Sequence, residues 1–322
     1  MLDYMTGWFS ANGLALNKEK TNRMKFTSSY HHNEAFQIIY QNKIITGTDN
    51  TKCLGLELDK NIRWKNHVQK IIPKLSSACY LVRRMYPCCN SNTLKMIYFA
   101  YFHTIMEYGI IFWAVSVESK RIFQQQQRII RIMTVSTSRI SCRTFFWKLE
   151  ILTLTSQYIL SSMRFLSSNL EIFIFNTSIH NINTRLKLKL HKPTARLTMY
   201  QRNAYYNSIN IYNKLPDDLA ELVLNKKRFP IQLKKYLTEK PFYSLEAPFS
   251  VTVSIFTVSA FTILKLTPSN PILLTAIPPH IIISPIHCIA YTALLNPLKT
   301  KDKVLYLKTQ SVPRCKHFSS QL

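Results

Sequence analysis

The spacing of apolar residues changes after Trp64, and this change limits the fold more than any other feature of the sequence. Before Trp64, apolar and polar residues alternate in short runs at 22–26, 36–46 and 52–59, as they do in half-buried strands. After it, apolar residues recur at helical spacing. The sequence therefore predicts an α+β fold that is mostly α. The last run is predicted to be one strand with its leucines on a common face: Leu54, Leu56 and Leu58.

Three helices are predicted after Trp64. The first contains Pro73, which would kink it or mark a helix boundary. The second begins after Ser91 or Asn92 and continues through 94–113, and it is apolar nearly all round, which predicts a central position in the core. The third covers 118–133. Its inward residues are predicted to be Ile122, Phe123, Gln126, Ile129, Ile130 and Met133.

The charge of the chain is strongly positive. Lys and Arg number 42 against 16 Asp and Glu, a net charge of +26. Residues 1–60 are nearly balanced, with seven basic and six acidic residues, whereas 61–150 carry fourteen basic and three acidic residues. An excess of this size favours polyanions, so RNA or single-stranded DNA, bound without sequence preference, is the predicted partner. A basic surface that only aids solubility is the alternative.

Basic and aromatic residues are interleaved downstream, from 180 to 246. Tyr205 and Tyr206 could stack on bases, although tyrosines in helices more often belong to the core. Asp217 and Asp218 follow Leu-Pro and precede an apolar run, so they are predicted to start a helix rather than to form a catalytic pair. The candidate phosphate contacts are Arg83, Arg84, Arg128, Arg131, Arg196 and Arg202.

Seven cysteines are scattered without the paired spacing of a zinc site. No charged-then-apolar secretory segment opens the chain. These observations predict an intracellular protein, nuclear or cytoplasmic and not secreted, that holds no metal.

Glycine occurs only five times, and none follows Gly109. Average usage of about 7% would place roughly fifteen glycines in the rest of the chain. Either Asn and Pro form the turns there, or the reading frame has drifted from a sequence once selected to fold.

Residues 247–322 differ in composition from the rest of the chain. The segment 247–264 is uncharged, and 268–298 is apolar but contains six prolines. A membrane-spanning helix needs about 20 apolar residues without such breaks. The tail is therefore predicted to be irregular, poorly ordered and not membrane-spanning. The alternative is an interaction or membrane-associated protein that acts through the apolar part at 249–298.

Four stretches together resemble a known family. They are "WFSANGLALNKEKTNRMKF", "KCLGLELDKNIRWKNHVQKIIPKLSSACYLVRRM", "TLKMIYFAYFHTIMEYGIIFW" and "YYNSINIYNKLPDDLAEL". In order and spacing they are similar to the carboxyl-terminal part of reverse transcriptases from jockey-type LINE (non-LTR) retrotransposons of insects. The resemblance covers about 5–246.

The resemblance implies a partial palm at 1–60, a helical thumb at 61–150 and a basic aromatic carboxyl-terminal region at 151–246. Lys20 corresponds to the lysine of palm motif D, which lies near the incoming nucleotide. The primer-grip hairpin corresponds to "CLGLELD", where Leu54, Gly55 and Leu56 would support the primer strand.

The intact family is an RNA-directed DNA polymerase that works with Mg²⁺ held by carboxylates. Its Ala-Asp-Asp turn has no counterpart here, so we expect the chain to begin inside the polymerase domain. The expected activity is nucleic-acid binding without polymerisation and without a cofactor. A third possibility is that no stable product forms, because a partial palm exposes sheet edges.

Overall fold

The computed structural model describes residues 2–14, 17, 21–26, 38–40, 43–137, 139–179, 189–245 and 305–308. The fold is α+β and mostly helical, as predicted, and its sheets are small. The strands are β1 Asn22–Lys25, β2 Ile38–Tyr40, β3 Lys43–Ile45, β4 Asn50–Cys53, β5 Leu56–Asp59 and β6 Leu305–Lys308. The helices are α1 Leu2–Ala11, α2 Lys65–Met85, α3 Ser91–Ile97, α4 Thr104–Glu107, α5 Ile110–Trp113, α6 Ser119–Thr134, α7 Arg143–Lys148, α8 Leu154–Ser168, α9 Thr198–Gln201, α10 Ala204–Asn213, α11 Asp217–Ala220 and α12 Arg228–Glu239.

The described strands form three antiparallel pairs: β1 with β6, β2 with β3, and β4 with β5. In addition, Arg23 of β1 forms a parallel bridge with Gly47. Strands thus lie within both predicted runs, 22–26 and 36–46, as far as the structure describes these residues. The prediction of an irregular tail is wrong at Leu305–Lys308, which form β6 and pair with β1. The rest of 247–322 lies outside the described residues, and so do the other predictions made for it.

The run at 52–59 is not one strand, because it contains the end of β4, a turn and the whole of β5. Leu54 and Gly55 both have positive φ, 47° and 85°, so they form a two-residue turn whose twist matches that of the strands. This turn carries Leu54 into solvent, while Leu56 and Leu58 are buried. The prediction that all three leucines share a face was therefore wrong for Leu54.

The predicted first helix continues past Pro73 without a boundary. Pro73 and Gln69 both lie on the solvent side of α2, so the carbonyl that proline leaves without a helical partner is near water. The opposite side of α2 buries Val68, Ile71 and Leu75. Packing of this apolar face offsets the lost hydrogen bond.

The second predicted helix differs from the prediction at both ends. Its N-cap is Asn90, whose side chain accepts a hydrogen bond from the backbone of Thr93 at 2.8 Å. After α3 the chain makes a π-helical turn, Tyr98–His103, and α4 then ends at Tyr108 because Gly109 adopts φ 64°. The predicted central position holds for one side of this stretch only, because Tyr98 and Phe102 are completely buried whereas Met96 and Tyr101 are 65% and 56% exposed.

The core is continuous from β1 to the segment after α12. At its centre, the fully buried Gln126 of α6 donates from Nε2 to Tyr98 Oη and to the carbonyl of Leu152, both at 2.9 Å. Its Oε1 accepts from the backbone N–H of Leu154 at 2.8 Å. Beside it, Thr153 caps α8 by accepting from Ser156 N. Gln126 thus joins the π-helical turn, α6 and the start of α8.

The chain meets its shortage of glycine by placing other residues in the left-handed region. Val135 ends α6 at φ 49°, and Glu150 precedes the α8 segment at φ 52°. Glycine is the usual residue at such a helix end, and a Cβ there costs roughly 1–2 kcal/mol. The 67% exposure of Val135 leaves little packing to offset this strain.

We predict that Gln126→Leu lowers the free energy of unfolding by about 3 kcal/mol or more. Leucine would leave Tyr98 Oη, the Leu152 carbonyl and the Leu154 N–H without their buried partner, at about 1–3 kcal/mol for each group. Chemical denaturation of the full chain measures this. Gln124→Leu, at an exposed position of the same helix, is the control and should change stability by less than about 0.5 kcal/mol. Similar effects of the two variants would contradict the role of Gln126.

We predict that Val135→Gly raises the free energy of unfolding by about 1 kcal/mol, because glycine adopts positive φ without a Cβ clash. Val135→Ala is the matched control, since it retains the Cβ and should gain less. The comparison requires denaturation midpoints and slopes for the three proteins. A glycine variant no more stable than the alanine variant would show that the backbone at 135 is unstrained.

Candidate nucleic-acid interface

Helices α2 and α6 pack side by side, and two of the predicted arginines lie on either side of their contact. Burial raises the pKa of the Cys79 thiol on α2 to about 11, while the positive charges of Arg128 on α6 and Arg83 on α2 oppose this shift. The thiol also donates to the carbonyl of Gln125 at 3.8 Å. Both guanidinium groups are exposed. Arg83 and Arg128 therefore both lie near the Cys79 thiol, one on each of the two helices.

Arg84 and Tyr80 extend this surface along α2. The Arg84 guanidinium lies over the Tyr80 ring, 5.8 Å from its centroid, and 62% of Tyr80 is exposed. Within the described part of the chain, no carboxylate forms an ion pair with Arg83, Arg84 or Arg128. We call Tyr80, Arg83, Arg84 and Arg128 the α2–α6 basic face.

Arg131 follows Arg128 on α6 but is occupied elsewhere. Its side chain is half-buried near the Cys142 thiol, and its Nε is buried without a hydrogen-bond partner in the described structure. Burial raises the pKa of Cys142, and Arg131 opposes that shift. Arg131 thus contributes to the packing between α6 and α7.

Arg196 and Arg202 belong to another part of the chain. Arg196 precedes α9 and Arg202 follows it directly, and both are exposed. The short helix α9 packs against α10 rather than extending α2 or α6. These two arginines remain candidate phosphate contacts, but they do not contribute side chains to the α2–α6 basic face.

The two predicted stacking residues are used for packing. The Tyr205 ring stacks on Phe173, with centroids 4.8 Å apart and planes 18° from parallel, and burial raises the pKa of Tyr205 to about 12. Tyr206 is buried, with the Lys192 ammonium 4.9 Å from its ring centroid. Tyr206 is thus closed to a base, and Phe173 covers one face of the half-buried Tyr205 ring. Tyr80 was missed, although its position one turn before Arg84 on the outward side of α2 could have indicated it.

The primer-grip-like hairpin rests against the bend between α4 and α5. The Tyr108 hydroxyl donates to the carbonyl of Leu54. A Cβ at Gly55 would lie 3.2 Å from the Tyr108 ring, and a Cβ at Gly109 would lie 2.7 Å from Leu56 Cδ2. Gly55 and Gly109 thus permit the close contact between the hairpin and the bend. Among the predicted primer-grip residues, Leu54 has the exposed side chain. Lys20, the other palm residue, lies outside the described residues.

Asp217 and Asp218 start a helix, as predicted, in its first turn after Pro216 rather than at the cap. Asp217 pairs with Lys189 at 3.2 Å, and both carboxylates are exposed. Among the described residues no group of three or more metal-ligating side chains is found. In the same part of the chain, no helix combines the length and apolarity needed to cross a bilayer.

Comparison with protein-family models, curated proteins and solved structures finds no match for this chain. The function therefore has to be argued from the site itself.

His67 connects α2 to the hairpin. Its Nδ1 accepts from the backbone N–H of Glu57 at 3.4 Å, and its ring packs between Trp64 and Trp113, with centroid distances of 6.0 and 6.2 Å. Burial lowers the pKa of His67 from 6.5 to about 4, with the charge of Glu57 opposing this shift. The imidazole is therefore neutral in the folded protein at pH 7.

We predict that the free energy of unfolding falls as the pH is lowered from 6.5 to about 4. In this window His67 binds a proton in the unfolded chain but not in the folded one, whereas its contribution is complete above pH 6.5. Denaturation measured at several pH values should show a shallower slope for His67→Gln, which keeps an acceptor but does not titrate. His191→Gln, on the loop before α9, is the control. An unchanged slope in His67→Gln would refute the assignment.

Proposed function

We propose that this chain derives from the carboxyl-terminal part of a jockey-type LINE reverse transcriptase and binds single-stranded nucleic acid without polymerising it. The observation that carries the binding proposal is the α2–α6 basic face. Three exposed arginines, Arg83, Arg84 and Arg128, lie there without a carboxylate partner among the described residues, beside the exposed side chain of Tyr80, which has Arg84 over one face of its ring. Guanidinium groups pair with phosphates, and an exposed aromatic ring can stack on an unpaired base.

The family proposal rests on the four sequence stretches and is consistent with two local features. A hairpin with a two-residue turn lies at the primer-grip-like segment, and a helical region follows it directly. The hairpin contacts the helices at Tyr108 and Gly109. A hairpin that supports the end of a primer strand would have to be held in place in this way. The alternative, membrane association through 249–298, concerns residues outside the described structure.

We predict that Arg83→Gln/Arg128→Gln lowers the slope of log affinity against log salt by about 1.4 in magnitude, since each phosphate contact on a single strand contributes about 0.7. Fluorescence anisotropy with a labelled single-stranded RNA, titrated at several salt concentrations, measures the slope. Lys226→Gln/Lys227→Gln removes the same charge from the turn before α12 and is the matched control. Equal slopes for the two double variants would exclude the α2–α6 basic face as the binding surface.

Loss of Tyr80 should affect RNA binding differently from loss of the arginines. Tyr80→Leu should weaken binding by about 1–3 kcal/mol with the salt slope unchanged, because stacking releases no counterions. Tyr101→Leu changes a tyrosine of similar exposure on the π-helical turn and should leave affinity unchanged. A parent protein that binds RNA no better than a neutral protein of the same size would refute the binding proposal as a whole.

A further inference from the structure

A polar cleft lies between the π-helical turn with α4, helix α8 and helix α12. Its volume is about 140 Å³, and its walls include Phe99, His103, Glu107, Gln157, Arg164 and Lys234. A cavity of roughly 150 Å³ can hold one six-membered ring. The cleft is therefore of a size for a single ring rather than for a larger ligand.

A fixed carboxylate stands in this cleft. Glu107 Oε1 accepts from Gln157 Nε2 at 2.7 Å, and its Oε2 lies 3.3 Å from His103 Nε2. The hydrogen bond from His103 lowers the pKa of Glu107, so the group is ionised and held in place. Since 39% of its side chain is exposed and a carboxylate has about four acceptor sites, Glu107 can still accept from a ligand.

Hydrogen-bond donors face the same cleft. Arg164 of α8 and Lys234 of α12 are exposed, and neither forms an ion pair with a carboxylate of the described residues. Arg164 lies near enough to Glu107 for its charge to favour the ionised carboxylate. Phe99 and Leu160 add apolar surface to the wall. The cleft thus offers an anchored acceptor, strong donors and an apolar surface for the face of a ring.

We propose that the cleft binds an unpaired cytosine base. The exocyclic N4 amino group would donate to Glu107, and the ring N3 and O2 would accept from Arg164, which is the complementary pattern of donors and acceptors. Uracil would instead place its O4 acceptor against the Glu107 carboxylate, and a purine has two rings. This inference rests on the proposed function, because it gives a single strand bound by the chain a preferred base.

The test uses the full chain and mononucleotides, with binding measured by ligand-observed NMR titration. Cytidine monophosphate should bind about tenfold more tightly than uridine monophosphate, within the range of discrimination of one good base contact. Ribose 5-phosphate, which lacks the base, separates base binding from capture of the phosphate by Lys234 or Arg164 and should bind more weakly than either nucleotide.

Arg164→Gln should weaken binding of cytidine monophosphate about tenfold, and because Arg164 is exposed this variant should fold. Glu107→Gln should abolish the preference over uridine monophosphate, whereas Lys148→Gln, an exposed change on α7, should leave it intact. Equal binding of the two nucleotides, or ribose 5-phosphate binding as tightly as the nucleotides, would overturn the inference. The salt-dependent binding of RNA to the α2–α6 basic face is measured in a separate experiment. Failure of the proposed function can therefore be distinguished from failure of the cytosine proposal.

Discussion

The carboxamide of Gln126 is the interaction on which the rest of the described structure depends. A buried amide is costly unless its donors and acceptor are paired, and all three of its hydrogen bonds go to other elements. They fix the rotation of α6 about its axis against Tyr98 and against the segment before α8. In that segment, Thr153 donates to the carbonyl of Phe242 at 2.5 Å. This hydrogen bond joins the segment before α8 to the residues that follow α12. The side chains of Gln126 and Thr153 together thus link four separate parts of the chain, from Tyr98 to Phe242.

The basic face follows from this inward constraint. When Gln126 and Ile130 point into the core, Arg128 must point outward, and the contact between α6 and α2 places it beside Arg83. The same geometry turns Arg131 toward Cys142, which explains why a residue only three positions later is half-buried. The basic character of this face is therefore a consequence of core packing.

The sequence predicted α6 almost residue by residue because its apolar and polar positions follow one period over four turns. The alternation of leucines did not predict the turn at Leu54 and Gly55, because leucine is an unusual residue at positive φ and the alternation continues through it, whereas the resemblance did imply a hairpin there. The tyrosines show a second limit. Composition marks Tyr205 and Tyr80 equally as aromatic residues near arginines, and only the contact between Tyr205 and Phe173 shows which ring is occupied.

The connection between α6 and α8 begins with Val135 and approaches its end with Glu150, both strained at positive φ. Together they cost roughly 2–4 kcal/mol, while the two hydrogen bonds of Gln126, donated to the Leu152 carbonyl and accepted from the Leu154 N–H, return roughly 1–3 kcal/mol. The hydrogen bonds alone therefore offset only part of the strain, and burial of Ile151, Leu152 and Leu154 must supply the rest. This arrangement is found at Glu150, where the buried segment follows at once, but not at Val135, where Thr137, Arg139 and Ile140 are exposed, so local packing offsets the strain at Glu150 alone.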